Sequence, residues 1–484
     1  MPVAIAAVSL ASVSKLSDTK IEIRLRLTRR GNEPILGAMK IAFIALSGVR
    51  AYNQELTRLG MTLPGFVERS RVIASLPSLG LLTLAGMTPD HIEVEYHEVA
   101  DLRDLDALPD CDLAALSTFT AQARDAYEIS RRYREAGVRT VIGGLHATAV
   151  PDEALQFCDS VVVGEGESSW PRLIADFEAG RPQRLYTSNG LDFELEDAPM
   201  PRFELLDAEK YNRITVQTQR GCPWRCEFCA SSITLTPRYK VKPVAKVIAE
   251  IRAIKSIWAR PFIEFADDNT FVNKRHAREL MRAVEREHIR WFTETDISVA
   301  DDPELLAMMR DAGCAQVLIG LESPTAGGLD GLELRNNWKR KRLGSYMTAI
   351  ERIQSHGIAV NGCFVLGLDG DGPEIFDAVH DFVEASGLQQ VQITVLTAFP
   401  GTPLYRRMLD EGRLIDPSAW EKCTVFDVNV RPKKMSVETL EQGLIDLGMR
   451  LYSKEEKSAR TGRFRWQFKQ GVARRFVERS EKVG

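Results

Sequence analysis

Hydrophobic runs and amphipathic stretches alternate along most of the chain. Residues 39–46 read Met-Lys-Ile-Ala-Phe-Ile-Ala-Leu, a continuous apolar run typical of a buried strand. Stretches with helical periodicity, such as 126–136 and 171–179, separate it from further strand signals at 92–99, 113–119, 140–143 and 160–163. Strands that alternate with helices favour a parallel sheet covered on both faces. Residues 39–180 are therefore predicted to form a Rossmann-like α/β domain.

A second alternating series occupies residues 205–404. Six strand signals lie at 214–218, 262–266, 292–298, 316–321, 360–366 and 391–396. Helical stretches follow at 244–258, 275–287, 303–311, 345–356 and 374–385. A helix after each strand returns the chain in parallel, which predicts a partial (β/α)6 barrel similar to a TIM barrel. An acidic segment with prolines, 195–201, is predicted to link the two series.

The two ends of the chain lack this alternation. Residues 1–38 are rich in Ala, Ser and Val and then basic, and they are predicted to be a disordered leader, with Met39 as a candidate natural start. An ordered strand and hairpin is the alternative for this segment. Residues 405–484 are predicted to form a small helical extension with one clear helix at 437–452 and a basic, aromatic tail.

Composition narrows the class of protein. The 484 residues are 44% hydrophobic and 27% charged, as in globular proteins, which excludes disorder over most of the length. Lys and Arg number 63 against 67 Asp and Glu, so overall charge predicts no nucleic-acid partner. No apolar run approaches the ~20 residues of a membrane-spanning helix, and no secretory signal is evident. We therefore expect a cytoplasmic protein.

Three of the eight cysteines form a candidate metal site. Cys222, Cys226 and Cys229 have C-x3-C-x2-C spacing directly after the first barrel strand, and loops in that position build the active sites of barrels. Structural zinc needs four ligands, and the nearest histidines are His146 and His276, although a distant fourth ligand stays open. Three thiolates on a four-iron, four-sulfur cluster leave one iron free to bind a ligand, which favours such a cluster.

This motif resembles the defining motif of the radical S-adenosylmethionine (radical SAM) superfamily, with the aromatic Phe228 before the last cysteine among the predicted cofactor-binding residues. The resemblance implies that the free iron binds the amino and carboxylate groups of S-adenosylmethionine. An electron from the cluster then cleaves the sulfonium to give a 5′-deoxyadenosyl radical. It also implies an electron donor such as flavodoxin or ferredoxin.

Other barrel motifs resemble the same superfamily. Asp267 and Asp268 end the second strand, where the resemblance places the methionyl amine. Glu322 and Ser323 end the fourth strand and are expected near the ribose or the methionyl group. The segment 362–367, Gly-Cys-Phe-Val-Leu-Gly, resembles a fifth-strand motif near the adenine. Helix capping and ordinary loop polarity are the alternative for each single residue.

Glycine-rich strand ends in the first domain resemble the cobalamin-binding domain that precedes many radical SAM barrels. The segments are 77–82, 116–118, 143–148 and 163–167, and they supply the predicted cofactor-binding residues Ser117, Thr118, Gly143, Gly144, His146, Gly164 and Glu165. Glycines there let the backbone approach a large cofactor. The cobalt-ligating D-x-H-x-x-G motif is missing, because no histidine occurs between Met39 and Asp90. We expect no histidine on cobalt from that loop, and His146 is assigned to packing on the nucleotide tail or the backbone, with cobalt ligation by His146 as the alternative.

Segments 398–405 and 431–435 resemble the branch of this family that contains hopanoid methylases. The resemblance predicts a cobalamin-dependent radical SAM methyltransferase that alkylates an unactivated carbon of a lipid or secondary metabolite. A cyclase or rearrangement enzyme with the same cofactors is one alternative, and an iron–sulfur or cobalamin sensor is another. The sequence does not name the substrate.

The tail from 460 to 484 predicts peripheral contact with the inner membrane. It holds eight Lys or Arg against two Glu, and Phe464, Phe468, Val472 and Phe476 recur every four residues, with Trp466 nearby. Surface-lying membrane helices combine aromatic stripes with basic faces in this way. Packing of the stripe on the barrel is the alternative.

Overall fold

The computed structural model describes residues 39–46, 51–58, 76–105, 107–188, 193–231 and 238–483, with side chains to residue 473. The leader predicted at 1–38 lies outside the described residues. The first domain is a parallel six-stranded sheet with strand order β2-β1-β3-β4-β5-β6. Its strands are β1 Lys40–Leu46, β2 Glu93–Val99, β3 Leu113–Ser117, β4 Arg139–Gly143, β5 Ser160–Val163 and β6 Leu185–Thr187.

Helices cover both faces of this sheet, as alternation along β1 requires. Ile41 and Phe43 pack into one core and Ala42 and Ile44 into the other. The helices are α1 Gln54–Arg58, α2 Leu79–Met87, α3 Ala123–Glu135, α4 Leu145–Ala149, α5 Pro151–Phe157 and α6 Trp170–Glu178. Helices α2 and α6 pack on the Phe43 side, and α3, α4 and α5 pack on the other. The predicted Rossmann-like architecture is confirmed.

The second domain is the predicted six-stranded barrel, and it is open. Its parallel strands are β7 Ile214–Val216, β10 Phe262–Phe265, β11 Arg290–Thr295, β12 Cys314–Glu322, β13 Ala359–Leu366 and β14 Gln390–Val395. Strands β7 and β14 lie at the two edges of the sheet. A short antiparallel pair, β8 Gln219–Arg220 and β9 Lys240–Val241, frames the cysteine loop. Helices α7 to α13 follow at Val244–Ile257, Lys274–Glu285, Pro303–Asp311, Ala326–Leu329, Trp338–Arg342, Tyr346–Ser355 and Ile375–Ser386.

A helical extension packs on the edge strand β14 and on the outer helices of the barrel. It contains α14 Pro403–Asp410, α15 Val437–Leu451 and α16 Lys454–Val483. The Val395 amide of β14 donates to the Val425 carbonyl, which satisfies part of an edge that parallel pairing leaves open. Helix α15 packs on α13 and β14, and α16 packs on α12. No helix in the described part of the chain is long and apolar enough to cross a membrane.

The first sheet and the segment between the domains differ from the sequence-based expectations. The first sheet continues past residue 180 into β6, which was missed because three residues show no periodicity. The segment 195–201 does more than link the domains, because Leu195 and Ala198 are buried and line a cavity between the domains.

Candidate functional site

A cavity of about 330 Å³ lies between the two domains. It joins the carboxyl ends of the first sheet's strands to the mouth of the barrel. The predicted residues Ser117, Gly143, Gly144, Gly164 and Glu165 line it from the first domain, and Asp268 lines it from the barrel. The structure thus brings together two groups of residues that lie about a hundred positions apart in the sequence.

The glycines of this cavity fit a large cofactor. Gly144 has φ +100°, and a Cβ there would lie 3.3 Å from both Ser117 Oγ and the Thr118 carbonyl. At Gly80 and Gly164 a Cβ would meet no atom within 4 Å, so the cavity is open on those sides. At these positions the cavity wall is therefore backbone, and no side chain takes up space in the cavity. The predicted binding of cobalamin by the first domain requires such a wall.

His146 and Thr118 do not line this cavity. His146 is fully buried behind β4, where its Nε2 lies 2.9 Å from the Tyr127 hydroxyl and its ring meets Trp420 edge-on. Burial lowers the pKa of His146, so the ring is neutral at pH 7. The Thr118 hydroxyl donates to the Phe119 carbonyl. Their part in binding a cofactor stays a prediction.

The cysteine loop is held by backbone hydrogen bonds on both sides. Cys226 forms an antiparallel bridge with Glu333, and the Leu404 amide of the extension donates to the Glu227 carbonyl. Asn269 Nδ2 lies 3.8 Å from Cys222 Sγ as a donor. Burial raises the pKa of the Cys222 thiol to about 11 and that of Cys226 to about 12, so each keeps its proton at neutral pH until a metal displaces it.

Three cysteine thiols on one short loop have the donor chemistry that an iron–sulfur cluster requires. In the residues with described side chains, no three Cys, His, Asp or Glu groups converge on a single-ion site. A four-iron cluster needs its thiolates further apart, because each binds a different iron atom. A donor to sulfur, such as Asn269, is the kind of neighbour that tunes a cluster.

The two aspartates that end β10 have different roles. Asp267 is buried, and its carboxylate accepts from the Thr218 amide and hydroxyl at 2.7 and 2.5 Å and from the Gln219 amide at 3.0 Å. Asp268 accepts from the Gly221 amide at 2.7 Å and from the Ser231 hydroxyl, and it faces the cavity. Asp267 therefore fixes the strand before the cysteine loop, while Asp268 is available to a ligand.

At the end of β12, Glu322 is paired with a buried lysine. Its φ of 63° is uncommon for a residue with a side chain, and strain of this kind gathers at functional sites. Lys339 Nζ lies 2.7 Å from Glu322 Oε1. Ser323 is buried and its hydroxyl accepts from the Thr325 amide at the start of α10, so it caps a turn. Phe228 packs half-buried against the barrel core.

An ion-pair network that the sequence did not reveal crosses between the domains beside the cysteine loop. Arg220 donates to Glu165 at 2.8 Å and to Glu167 at 2.7 Å, and Lys240 Nζ lies 2.7 Å from Glu165. Burial opposes ionisation of Glu167, but Arg220 outweighs it and lowers the pKa of that carboxyl. The one sequence signal for this network was the acidic segment 164–167, Gly-Glu-Gly-Glu. It shows two charges but not the basic residues that pair with them.

The barrel lumen contains a row of side chains of which three are polar, and two of these have a buried oxygen without a hydrogen-bond partner. Strand register places Glu294 beside Leu318, Asn361 and Gln390 on successive strands. Among the described residues, Oδ1 of Asn361 and Oε1 of Gln390 are buried without a hydrogen-bond partner. Water in the lumen reaches the Glu294 side chain, but its deep position and the neighbouring Glu264 raise its pKa to about 8. Alternation along a strand shows which residues share a face. The row itself can be predicted only when the register between neighbouring strands of the barrel is known.

Comparisons with known proteins agree with this arrangement. Residues 216–383 match the radical SAM superfamily, 71–174 the B12 binding domain, and 402–482 a domain of unknown function, DUF4070. The chain is 28% identical to bacteriochlorophyllide d C-12(1)-methyltransferase of Chlorobaculum tepidum, over 78% of this chain and 83% of the relative. It is 30% identical to hopanoid C-2 methylase of Rhodopseudomonas palustris, over 71% of this chain and 66% of the relative.

Solved structures share the fold. The radical S-adenosylmethionine methyltransferase TsrM from Kitasatospora setae, with cobalamin and an iron–sulfur cluster bound, has a TM-score of 0.63 at 15% identity and covers 87% of this chain and 90% of its own. The cobalamin-dependent enzyme OxsB has a TM-score of 0.59 at 16% identity over 81% of this chain and 64% of its own. The predictions of a cluster, S-adenosylmethionine and cobalamin as cofactors are confirmed. The chain belongs to the radical SAM enzymes that carry a B12-binding domain.

Proposed function

We propose that this protein is a cobalamin-dependent radical SAM methyltransferase that alkylates an unactivated carbon. The observation that carries the proposal is the single cavity shared by the glycine-lined strand ends of the first domain and the barrel mouth. Relatives named as carbon methyltransferases support it. A relative named as a cyclase, at 24% identity, keeps ring formation as an outcome for the test to exclude.

The residues of the chain divide the work between the two domains. Cys222, Cys226 and Cys229 would hold the cluster, and Gly143 and Gly144 would let cobalamin approach the backbone. When bound, these groups supply a methyl carrier and the means to remove hydrogen from carbon. Asp268 would orient the S-adenosylmethionine amine, because its carboxylate faces the cavity. Arg220 and Glu165 line the shared cavity and pair across it, which holds the two domains together.

The polar row in the lumen narrows the substrate class. Two buried carboxamide oxygens without a hydrogen-bond partner are costly unless a ligand or water satisfies them. A substrate that extends ammonium or hydroxyl groups along this row would supply donors to the oxygens of Asn361 and Gln390 and to Glu294, whereas a bare hydrocarbon ring system would not. We therefore favour a substrate that carries hydrogen-bond donors, which fits a secondary metabolite or a functionalised lipid.

The test is product analysis with S-adenosylmethionine labelled in its methyl group. Extracts of a strain that lacks the gene are incubated with anaerobically reconstituted protein and a reductant. We expect a product that gains the labelled methyl, one S-adenosylhomocysteine for each methyl, and 5′-deoxyadenosine. Formation of 5′-deoxyadenosine with a product but without label or S-adenosylhomocysteine would contradict methyl transfer and favour the cyclase. In the same assay Glu294→Gln should raise the KM for the substrate more than it lowers kcat.

The C-terminal helix supports contact with anionic membranes as a further part of this proposal. On α16, Trp466 and Val472 are 61% and 48% exposed, and Arg465 and Lys469 beside them are exposed. Phe468 instead packs partly against Gly357, so only some of the predicted stripe is free. Basic residues near an anionic surface contribute about 1 kcal/mol each.

Vesicle co-sedimentation tests this contact. Vesicles with anionic lipid should bind the wild-type protein at low salt and bind the double variant Arg465→Glu/Lys469→Glu at least several-fold less, because each substitution reverses a charge at the exposed face. Arg282→Glu/Arg286→Glu, two exposed residues at the end of helix α8, reverses the same number of charges and is the matched control. Equal binding by the double variant and the wild type would exclude the helix as the contact.

A further inference from the structure

We propose that the surface around the cysteine loop docks a small acidic electron-transfer protein. The proposal rests on the proposed function, because only a redox cluster needs electrons delivered to it. We call this surface the basic face, and it comprises Arg225, Leu334, Arg335, Trp338, Arg340 and Lys341.

The basic face lies directly beside a predicted cluster ligand. The Leu334 amide donates to the Arg225 carbonyl at 2.9 Å, and the Glu227 amide donates to the Leu332 carbonyl at 3.0 Å. These bonds flank the bridge between Cys226 and Glu333. The segment that presents Leu334 and Arg335 to solvent is therefore paired with the cysteine loop itself, so a protein docked there would approach the cluster closely.

Most of the charge on this face is uncompensated, since Arg340 is its one basic residue with an ion-pair partner among the described residues. Arg335, Arg340 and Lys341 are exposed, and helix α11 reads Trp-Lys-Arg-Lys-Arg. Within the part of the chain that the structure describes, no carboxylate forms an ion pair with Arg225, Arg335 or Lys341. The nearby acids are already engaged, since Asp330 pairs with Arg340 and the buried Glu333 accepts backbone N–H groups. In a chain of net charge −4, this local excess would attract an acidic partner.

An apolar centre completes the face. The rings of Trp224 and Trp338 stack with centroids 4.3 Å apart, and the Arg342 guanidinium lies over Trp338. Leu334 is 51% exposed beside them. Aromatic and apolar groups at the centre with charges at the rim are the anatomy of protein interfaces. Weak redox encounters use small interfaces of this kind, which fits a carrier that must leave after each transfer.

Comparison of two reductants tests the proposal. Reduced flavodoxin, an acidic protein, and dithionite, a small molecule, are each mixed with the reconstituted full-length enzyme, and bleaching of the cluster absorbance is followed. We expect Arg335→Glu/Lys341→Glu to slow reduction by flavodoxin about 10-fold or more at low salt and to weaken its dependence on salt. Reduction by dithionite and the iron content should stay unchanged. The matched control is Arg282→Glu/Arg286→Glu, at the exposed C-terminal end of helix α8, which should behave as wild type.

Equal rates of reduction by flavodoxin in the variant and the wild type would overturn the proposal. So would a wild-type cluster that flavodoxin does not reduce. Slower reduction by both reductants would also refute it, because the substitutions would then have changed the cluster itself rather than the docking of flavodoxin. Failure of the proposed function has a different signature, namely normal bleaching by flavodoxin in wild type without any methylated product.

Discussion

Arg407 of the extension ties the cysteine loop to the rest of the barrel. Its guanidinium donates to both carboxylate oxygens of Glu227 at 3.1 and 2.5 Å, and to Asp369 at 2.6 Å. Glu227 lies between the second and third cysteines of the motif. We predict that Arg407→Gln loosens this loop and accelerates loss of the cluster, because Glu227 then keeps no ion-pair partner among the described residues.

The magnitude follows from exposure. The side chains of Arg407 and Glu227 are 30% and 12% exposed, which places the pair between exposed pairs, worth about 0–1 kcal/mol, and buried ones, whose disruption costs about 3–5 kcal/mol. The substitution leaves Asp369 with two ion-pair partners, Arg413 and Lys433, so loss of its pair with Arg407 adds little to the cost. A cost of about 2 kcal/mol makes loop opening about 30-fold more frequent.

Iron release to a ferrous chelator under anaerobic conditions measures this opening. We expect Arg407→Gln to release iron about 30-fold faster than wild type if opening limits release. Arg406→Gln, on the exposed side of the same helix, should release iron at the wild-type rate. The double variant Glu227→Gln/Arg407→Gln should release it no faster than the faster single variant, because both remove the same interaction. Equal rates for Arg407→Gln and wild type would refute the reasoning.

Three other predictions concern the cavity and its surroundings. Gly144→Ala should lower retention of cobalamin on gel filtration at least several-fold, because it adds a Cβ at φ +100° against Ser117, while Gly180→Ala, at φ +69° in open space, should not. Electron paramagnetic resonance of the cob(II)alamin form should lack nitrogen superhyperfine coupling, since no histidine occurs between Met39 and Asp90. Burial raises the pKa of Asp267 to about 6, so between pH ~4 and ~6 the folded protein keeps a proton that the unfolded chain has released, and stability falls by about 3 kcal/mol as pH rises. The melting temperature of wild type relative to Asp267→Asn should therefore fall across that range, and a constant difference would contradict this.

The fold could be predicted from the sequence where elements are long enough to show a period. Both parallel sheets follow from alternating strand and helix signals, and strands such as β13 lie within one residue of the expected bounds. The strands that were missed, β6, β8 and β9, have two or three residues. Short strands depend on their neighbours in the sheet rather than on their own pattern, so no local signal identifies them.

The site could be predicted where a single segment holds it. The spacing of Cys222, Cys226 and Cys229 lies in one loop, so the sequence shows it directly. The sequence could not separate Asp267 from Asp268, because their roles depend on which side of β10 each carboxylate faces. The pair between Arg220 and Glu165 joins residues 55 positions apart in different domains, and only the packing of the two domains brings them together.

Cleavage of S-adenosylmethionine by a triple cysteine variant tests the central claim most directly. Wild-type protein, reconstituted anaerobically and reduced with dithionite, should release 5′-deoxyadenosine. The variant with Cys222, Cys226 and Cys229 all changed to Ala should bind no iron and release no 5′-deoxyadenosine. Its first domain should still bind cobalamin. Release of 5′-deoxyadenosine by the triple variant would contradict the assignment of these three cysteines and the radical SAM function built on it.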